Sequence, residues 1–326
     1  MKKIDNILVT GGAGYIGSHI VEKLVKTNVN VFILDNLVTG YKKLINKKAF
    51  FIKGSIKDAY KVRKIIIKNK IDTIIHLAAH LNVNEAEKNK KKYNDNNVKG
   101  TYEIVKACKN SKVRNIIFSS SCSVYGSVTG SVNEKKRPQP KGYYAYTKYK
   151  GEQIIKKYAK KYNYNYAILR YFNVAGASNS NEIGEIQESH GHLIKNLAIQ
   201  SLKKKPKIFI YGKNYNTKDG TCIRDYIHVL DLVDAHLKSL NYININSKSL
   251  LLNCGYGKGY SVLDIVNVFK KINKKIDIIF TKRRSGDVSK IYADTNKIKK
   301  NLKWKPRHNN LKKILNSAIK WEKKLN

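Results

Sequence analysis

Two groups of residues in this 326-residue chain have the types and spacing to do chemistry. In the first, Ser119-Ser120-Ser121 closes an apolar run, and Tyr144 and Lys148 follow four residues apart. That spacing sets a phenol and an ammonium on one face of a helix. A tyrosine beside a lysine can act as a general base. Its free pKa is about 10, so a base poised near neutrality needs about 3 units of lowering, or roughly 4 kcal/mol. One unit charge about 4 Å away supplies roughly that much at an effective dielectric of about 20. Tyr146 and Lys150 share the same spacing, so spacing alone leaves two candidate pairs. The second group is Gly11-Gly12-Ala13-Gly14-Tyr15-Ile16-Gly17. Glycines in this pattern allow a tight turn, close approach of backbone to a pyrophosphate, and tight helix–strand packing. The helix that follows aims free N–H groups and a partial positive charge at the phosphates. Asp35, at the end of the next apolar run, can accept hydrogen bonds from the adenosine ribose hydroxyls and repels a 2′-phosphate. NAD is therefore expected over NADP.

These residues need strands to present them. Apolar runs at Asn6–Thr10, Val31–Asp35, Ala49–Lys53, Thr73–Leu77, Asn115–Ser119 and Tyr166–Arg170 read as strands. Amphipathic stretches at Ile16–Lys26, Ala59–Asn69, Asn97–Cys108 and Tyr146–Lys161 read as helices between them. Alternation of this kind predicts an α/β fold: a doubly wound, Rossmann-type parallel sheet with helices on both faces. Its chemistry belongs at the carboxyl ends of the strands. After Tyr171 the rhythm changes. Residues 172–224 read as loop-rich with one amphipathic stretch near Leu193–Lys203, Val229–Leu240 reads as a helix, and residues 255–326 supply further helices. The expected division is an NAD-binding domain at 1–170 and a smaller α/β substrate domain at 171–326, with part of 225–254 returning to the first.

The composition gives 65 Lys and Arg against 23 Asp and Glu, a net charge of +42. The lysines are spread along the whole chain, in runs such as Lys156-Lys157, Lys160-Lys161 and Lys203 to Lys205 that read as solvated helix faces. No nucleic-acid motif accompanies them, so no nucleic-acid partner is expected. Cys108, Cys122, Cys222 and Cys254 are too widely spaced for a disulfide framework or a zinc site, and no metal is expected. No signal peptide and no apolar run of membrane-spanning length is apparent, so no membrane partner and a cytoplasmic location are expected.

Taken in order, the glycine turn, the serine cluster and Tyr-x-x-x-Lys resemble the extended short-chain dehydrogenase/reductases that act on nucleotide sugars. Further matching segments are Asp35-Asn36-Leu37, Asp95-Asn96-Asn97-Val98, Val124-Tyr125-Gly126, Leu169 to Asn173, Asp219-Gly220-Thr221, Arg224 to Val229, Arg284-Ser285-Gly286-Asp287 and Ala293-Asp294. The resemblance covers essentially the whole chain and selects Tyr144 and Lys148 over Tyr146 and Lys150.

The resemblance implies interconversion of UDP-glucose and UDP-galactose through transient oxidation at sugar C4 by tightly held NAD. It implies Ser121, Tyr144 and Lys148 as catalytic residues, with Tyr144 as base and Lys148 on the nicotinamide ribose. The implied cofactor residues are Gly11, Gly14, Tyr15, Ile16, Gly17, Asp35, Asn36, Ser55, Ile56, Leu77, Ala78, Ala79, Asn97, Ser119 and Tyr171, with Tyr144 and Lys148. The implied substrate residues are Asn173, His192, Leu193, Tyr211, Arg224, Arg284 and Asp287, with Ser121 and Tyr144. A homodimer is implied as well. Guanidinium groups suit a diphosphate because they bind its oxygens bidentately.

Three positions depart from the family pattern. Ser55 stands where an aspartate is usual, Leu81 where many members carry lysine, and Ile291 where some carry a bulky tyrosine beside the sugar 2-substituent. The smaller Ile291 leaves room for an N-acetyl group, so UDP-GlcNAc and UDP-GalNAc are candidate substrates. Alternatives within the family are a UDP-uronate or pentose epimerase, a decarboxylase or a dehydratase. A 4,6-dehydratase would typically carry an Asp-Glu pair where Cys122-Ser123 stand. From a different class, the chain could be a non-catalytic NAD-binding regulator, which the intact Ser121, Tyr144 and Lys148 argue against.

Overall fold

Asn6–Thr10 is an interior strand of a seven-stranded sheet in the computed structural model, which describes residues 3–186, 192–273, 276–284 and 287–326. The strand order across the sheet is Leu250–Cys254, Asn165–Tyr171, Asn115–Ser121, Thr73–His76, Asn6–Thr10, Asn30–Asp35, Phe50–Lys53. Asn6–Thr10 pairs in parallel with Asn30–Asp35 on one side and with Thr73–His76 on the other. The chain thus winds outward in both directions from this strand, which makes its carboxyl end the switch point where doubly wound sheets bind ligands. Every residue of Thr73–His76 is buried, as are six of the seven in Asn115–Ser121. Strands covered on both faces cannot alternate apolar with polar, which is why these read as unbroken apolar runs. Leu8, Leu34, Ile66, Ile74, Ile104 and Ile116 belong to one core cluster within this layer. Each such fully buried side chain contributes roughly 1.5–3 kcal/mol.

Two helices differ from expectation in ways that bear on the site. The helix expected from Asn97 is α-helical only at Gly100–Ala107, and a π-helical turn, Asn94–Lys99, precedes it. Wide turns of this kind occur mostly at functional positions. The helix expected from Tyr146 begins at Tyr143 and runs to Tyr162. Gly142, at φ 86°, sets its start, and Asn163 in the left-handed region ends it.

The chain divides into two compact units. The first comprises residues 1–124, 140–170 and 233–252, and the second comprises 125–139, 171–232 and 253–326. Residues 125–139, expected in the first domain, fall in the second because Gly130–Val132 pairs with Lys290–Ala293 there. Residues 172–224 are also less loop-like than expected. They hold strands Asn173–Ala175 and Lys207–Tyr211, and Ile223–His228 begins within them. Residues 255–326 add strands Gly259–Ser261, Asp277–Thr281 and Lys290–Ala293 to the helices. In the second unit, Leu197, Ile208, Tyr226, Phe269 and Leu315 share a separate core cluster. Ser285 and Gly286 of the motif text lie outside the described residues. Among the described residues no helix is long and apolar enough to cross a membrane, and no cluster of His, Cys, Asp and Glu could hold a metal.

Candidate functional site

In the first unit the glycine turn closes on itself. Gly11 sits at φ 73°, and its N–H donates to the Leu34 carbonyl at 2.9 Å. A methyl group at Gly11 would stand 2.8 Å from the Ala78 amide, and one at Gly17 would collide with the Gly11 carbonyl. The turn therefore lies flat against the segment Leu77-Ala78, which Leu77 N–H ties to the Thr10 carbonyl at 3.1 Å. No side chain caps the Tyr15–Leu24 helix, and no acid sits in its first turn. An uncapped ten-residue helix behind a glycine cradle suits a pyrophosphate. Asp35 accepts from Ala13 N–H at 3.0 Å and from Leu37 N–H at 2.8 Å. Burial raises its carboxyl above the ordinary value, against the pull of those two N–H groups. The acid is thus bound to the turn it serves, and its free lone pairs can meet ribose hydroxyls. These residues fit a dinucleotide.

The remaining expected cofactor residues line the same strand ends. Asn36 accepts from Val38 N–H at 3.1 Å, and Ser55 from Lys57 N–H at 3.2 Å. Ile56 is buried, Leu77, Ala78 and Ala79 are half-buried, and Leu81 is exposed. Tyr171 is buried and belongs to the second unit.

Ser121, Tyr144 and Lys148 come together. Ser121 lies near enough to the Tyr144 phenol to act on its pKa. The Ser121 oxygen accepts from Ser123 Oγ at 2.9 Å and from Ser123 N–H at 3.2 Å. Lys148 Nζ donates to the Ser119 carbonyl at 2.9 Å and lies 5.6 Å from the Phe118 ring centre. Burial lowers its ammonium to about 8. Burial also pushes the Tyr144 phenol well above its ordinary value, and the nearby Ser121 hydroxyl opposes this only in part. In the protein alone Tyr144 is therefore protonated, and the lysine expected to lower its pKa is engaged with a carbonyl. Tyr146, by contrast, is exposed, with Lys150 Nζ 5.5 Å from its ring centre.

Asn97, in the π-helical turn, is held on three sides. Its oxygen accepts from His80 N–H at 2.8 Å, and its amide donates to the His80 carbonyl and to Thr147 Oγ1, both at 3.1 Å. Behind it runs a polar chain that the sequence reading missed. Thr101 Oγ1 donates to the Asn97 carbonyl at 2.6 Å, so it accepts from His76 Nε2 at 3.0 Å. His76 Nδ1 then accepts from Thr10 Oγ1 at 2.7 Å, which itself accepts from Ala78 N–H at 3.4 Å. Burial, with the Lys148 charge, lowers His76 to about 3 and keeps it neutral. The run His76-Leu77-Ala78-Ala79 after a buried strand was the available signal. Glu152, two turns along the helix from Tyr144, was also missed.

In the second unit, three of the expected substrate residues, Arg224, Arg284 and Asp287, lie near Cys222. Arg224 Nη2 reaches Asp287 Oδ1 at 3.3 Å, and its Nη1 donates to the Ile223 carbonyl at 2.9 Å. The Arg284 guanidinium stacks 3.9 Å over the Tyr211 ring. Arg224, Arg284 and Asp287 all act electrostatically on the Cys222 thiol, which burial raises. His192 Nδ1 lies 2.5 Å from Glu185 Oε1. Its side chain is 45% exposed, and partial desolvation disfavours the charged form, but Glu185 outweighs this and the opposing Arg284, so its pKa is raised. Ile291 is buried and stands in register with Arg224. A cavity of ≈ 230 Å³ is lined by Asn196, Gln200, Lys207, Ile208, Phe209 and Tyr211. Leu193 opens the helix after His192. Asn173 is exposed and pairs with Tyr226, two residues along the strand from Arg224. Neighbouring Arg283 adds a contact not expected, 4.2 Å over the Tyr215 ring with Nε on Asn214 Oδ1 at 2.7 Å.

Residues 7–255 match the model of the NAD dependent epimerase/dehydratase family. A UDP-glucose 4-epimerase of Lactobacillus helveticus is 41% identical over 97% of this chain and 97% of its own length. The crystal structure of UDP-glucose 4-epimerase from Stenotrophomonas maltophila, with bound NAD and formylated UDP-arabinopyranose, superposes with a TM-score of 0.93 at 32% identity, covering 98% of each chain. The UDP-Glc/GlcNAc 4-epimerase of Campylobacter jejuni superposes with a TM-score of 0.85 at 36% identity, covering 98% of this chain and 99% of that one.

Proposed function

Since the chain belongs to the NAD dependent epimerase/dehydratase family, we propose that it interconverts UDP-glucose and UDP-galactose, with Tyr144 as the base. The observation that carries this reading is the Tyr144 phenol beside the Ser121 hydroxyl, one helical turn from a buried Lys148. When bound, NAD supplies the hydride acceptor and donor for sugar C4 and, in its oxidised form, a positive charge. Tyr144 takes the proton of the 4-hydroxyl as C4 becomes a carbonyl, and returns it when C4 is reduced from the opposite face. Ser121 holds the same oxygen by hydrogen bonding. Burial raises the phenol, so the base forms only in the loaded protein, where Lys148 and the oxidised cofactor together favour phenolate. Arg224 and Arg284 hold the diphosphate through their guanidinium groups, leaving the sugar ring free to present either face. Asp35 and the uncapped helix behind Gly14 hold the dinucleotide. Cys122 and Ser123, in place of an acid pair, speak against dehydration.

The test is to incubate purified protein with UDP-galactose, without added NAD, and follow UDP-glucose. Formation of UDP-glucose supports the reading, and no turnover with or without NAD overturns it.

A second activity, on UDP-GlcNAc and UDP-GalNAc, is favoured by Ile291 beside Arg224 in the sheet register and by the likeness to the Campylobacter jejuni enzyme. Parallel assays with both sugar pairs decide it, and no detectable N-acetyl turnover removes it. A homodimer is proposed on family resemblance alone, with light scattering as its measure.

A further inference from the structure

We propose that Glu152 is a positioning residue, setting the backbone at Ser119–Ser121 on which Tyr144 and Lys148 depend. Tyr144, Lys148 and Glu152 repeat at intervals of four on one helix, so one face presents all three. Each engages one of three consecutive serines. Tyr144 lies near the Ser121 hydroxyl, Lys148 Nζ takes the Ser119 carbonyl at 2.9 Å, and Glu152 Oε1 accepts from Ser120 Oγ at 2.5 Å. Arg170, near the end of the adjacent strand, grips the same carboxylate from behind. Its Nε lies 2.8 Å from Oε1 and its Nη2 2.6 Å from Oε2. The two side chains are 1% and 0% exposed.

A fully buried ion pair of this kind gains little stability over well-packed apolar residues, because desolvating two charges offsets their attraction. What it does gain is fixed geometry. The carboxylate has four good acceptor directions and a two-point guanidinium clamp, so its position is set before Ser120 meets it. Ser120 in turn fixes the strand end whose carbonyl at 119 holds the lysine and whose hydroxyl at 121 lies near the phenol. Misplacing such groups by about 1 Å can cost on the order of 100-fold in rate.

This inference rests on the proposed roles of Ser121, Tyr144 and Lys148, so the experiment reads both turnover and local order. Ser120→Ala leaves the ion pair intact and cuts only its link to the strand end, and Glu152→Gln removes the charge. Expected for Ser120→Ala is a kcat for UDP-galactose lowered about tenfold with KM within about twofold. Amide hydrogen exchange at residues 119–123 should accelerate about tenfold, with other segments unchanged. Glu152→Gln should show the same pattern, enlarged; if it does not fold, Ser120→Ala still decides. A merely structural role would lower the melting temperature while leaving the kcat of folded protein and exchange at 119–123 at wild-type values, and that result overturns the proposal. If the wild-type protein has no turnover, the functional reading falls, while the exchange data still decide what Glu152 does.

Discussion

The candidate site groups of the two units are held in different ways. In the first, Asn97, Lys148, Asp35 and His76 are all buried, and each meets fixed partners at hydrogen-bonding distance. In the second, Arg224 meets Asp287 at the long distance of 3.3 Å, Arg284 rests on the face of a ring, and Tyr211 and His192 are exposed. Preorganised dipoles need no rearrangement as charge develops, which suits a site that moves a proton. Stacked and loosely paired arginines can exchange their partners for a ligand's oxygens, which suits a site that must bind and release. The contrast teaches that chemistry and recognition place opposite demands on rigidity.

Tyr144→Phe should test the rigid side hardest. Turnover should fall about 10³-fold, within the usual range for loss of a general base, while NAD released on denaturation stays at its wild-type amount. Near-normal turnover would move the base elsewhere, with Tyr146 first to be tried. Arg224→Ala tests the adaptable side. Loss of a charge-assisted bond worth about 1.5–3 kcal/mol predicts UDP binding weakened about 10- to 100-fold by calorimetry. If kcat falls more than binding does, the division between the units fails.

His76→Gln probes the buried network through pH. The folded pKa of about 3 lies below the ordinary histidine value, so the folded state binds fewer protons than the unfolded state between them. Stability from this residue is full above about pH 6.5 and is lost, by at most about 1.4 kcal/mol per pH unit, as pH falls towards 3. Denaturant titrations should show a shallower loss in the variant between neutrality and mildly acid pH, and identical slopes would remove His76 from the account. The smallest effect is expected for Tyr211→Leu. Removing an exposed cation–π contact of about 0.5–1 kcal/mol should weaken UDP two- to fivefold, and an effect larger than that of Arg224→Ala would reverse the proposed order.

The sequence exposed most of the first unit and little of the second, for physical reasons. Strands buried on both faces leave unbroken apolar runs, and a glycine turn has few other uses between strand and helix. The strands Gly130–Val132, Asn173–Ala175 and Gly259–Ser261 have three residues each, too short for any period to emerge. Lys156, Lys157, Lys160 and Lys161 are exposed as their run suggested. The same lysine-rich helix hides Glu152, because a single acid among lysines reads as a surface ion pair until a buried arginine from another strand is found beside it. The widened turn at Asn94–Lys99 was invisible for a different cause. Its residues, Asn94 to Lys99, are mostly poor helix formers, and only the hydrogen-bond pattern marks the π turn. In the site itself, residue types were legible but directions were not. Nothing in the text of the chain tells that Lys148 reaches a carbonyl, or that Ser123 donates to the Ser121 hydroxyl.

The meeting of Ser119–Ser121 with Tyr144, Lys148 and Glu152 has an evolutionary consequence. All six partners lie on a strand end and a helix, and within the stretch at 122–142 Ser123 touches them through the Ser121 oxygen. Outside Ser123 and the strand Gly130–Val132, which pairs with Lys290–Ala293, insertions or deletions in that stretch leave the pairings in register. A single residue inserted between Tyr144 and Glu152 would instead turn the helix by about 100° per residue and unseat at least one pair. Length variation among descendants of this chain should therefore gather in the stretch and spare the helix.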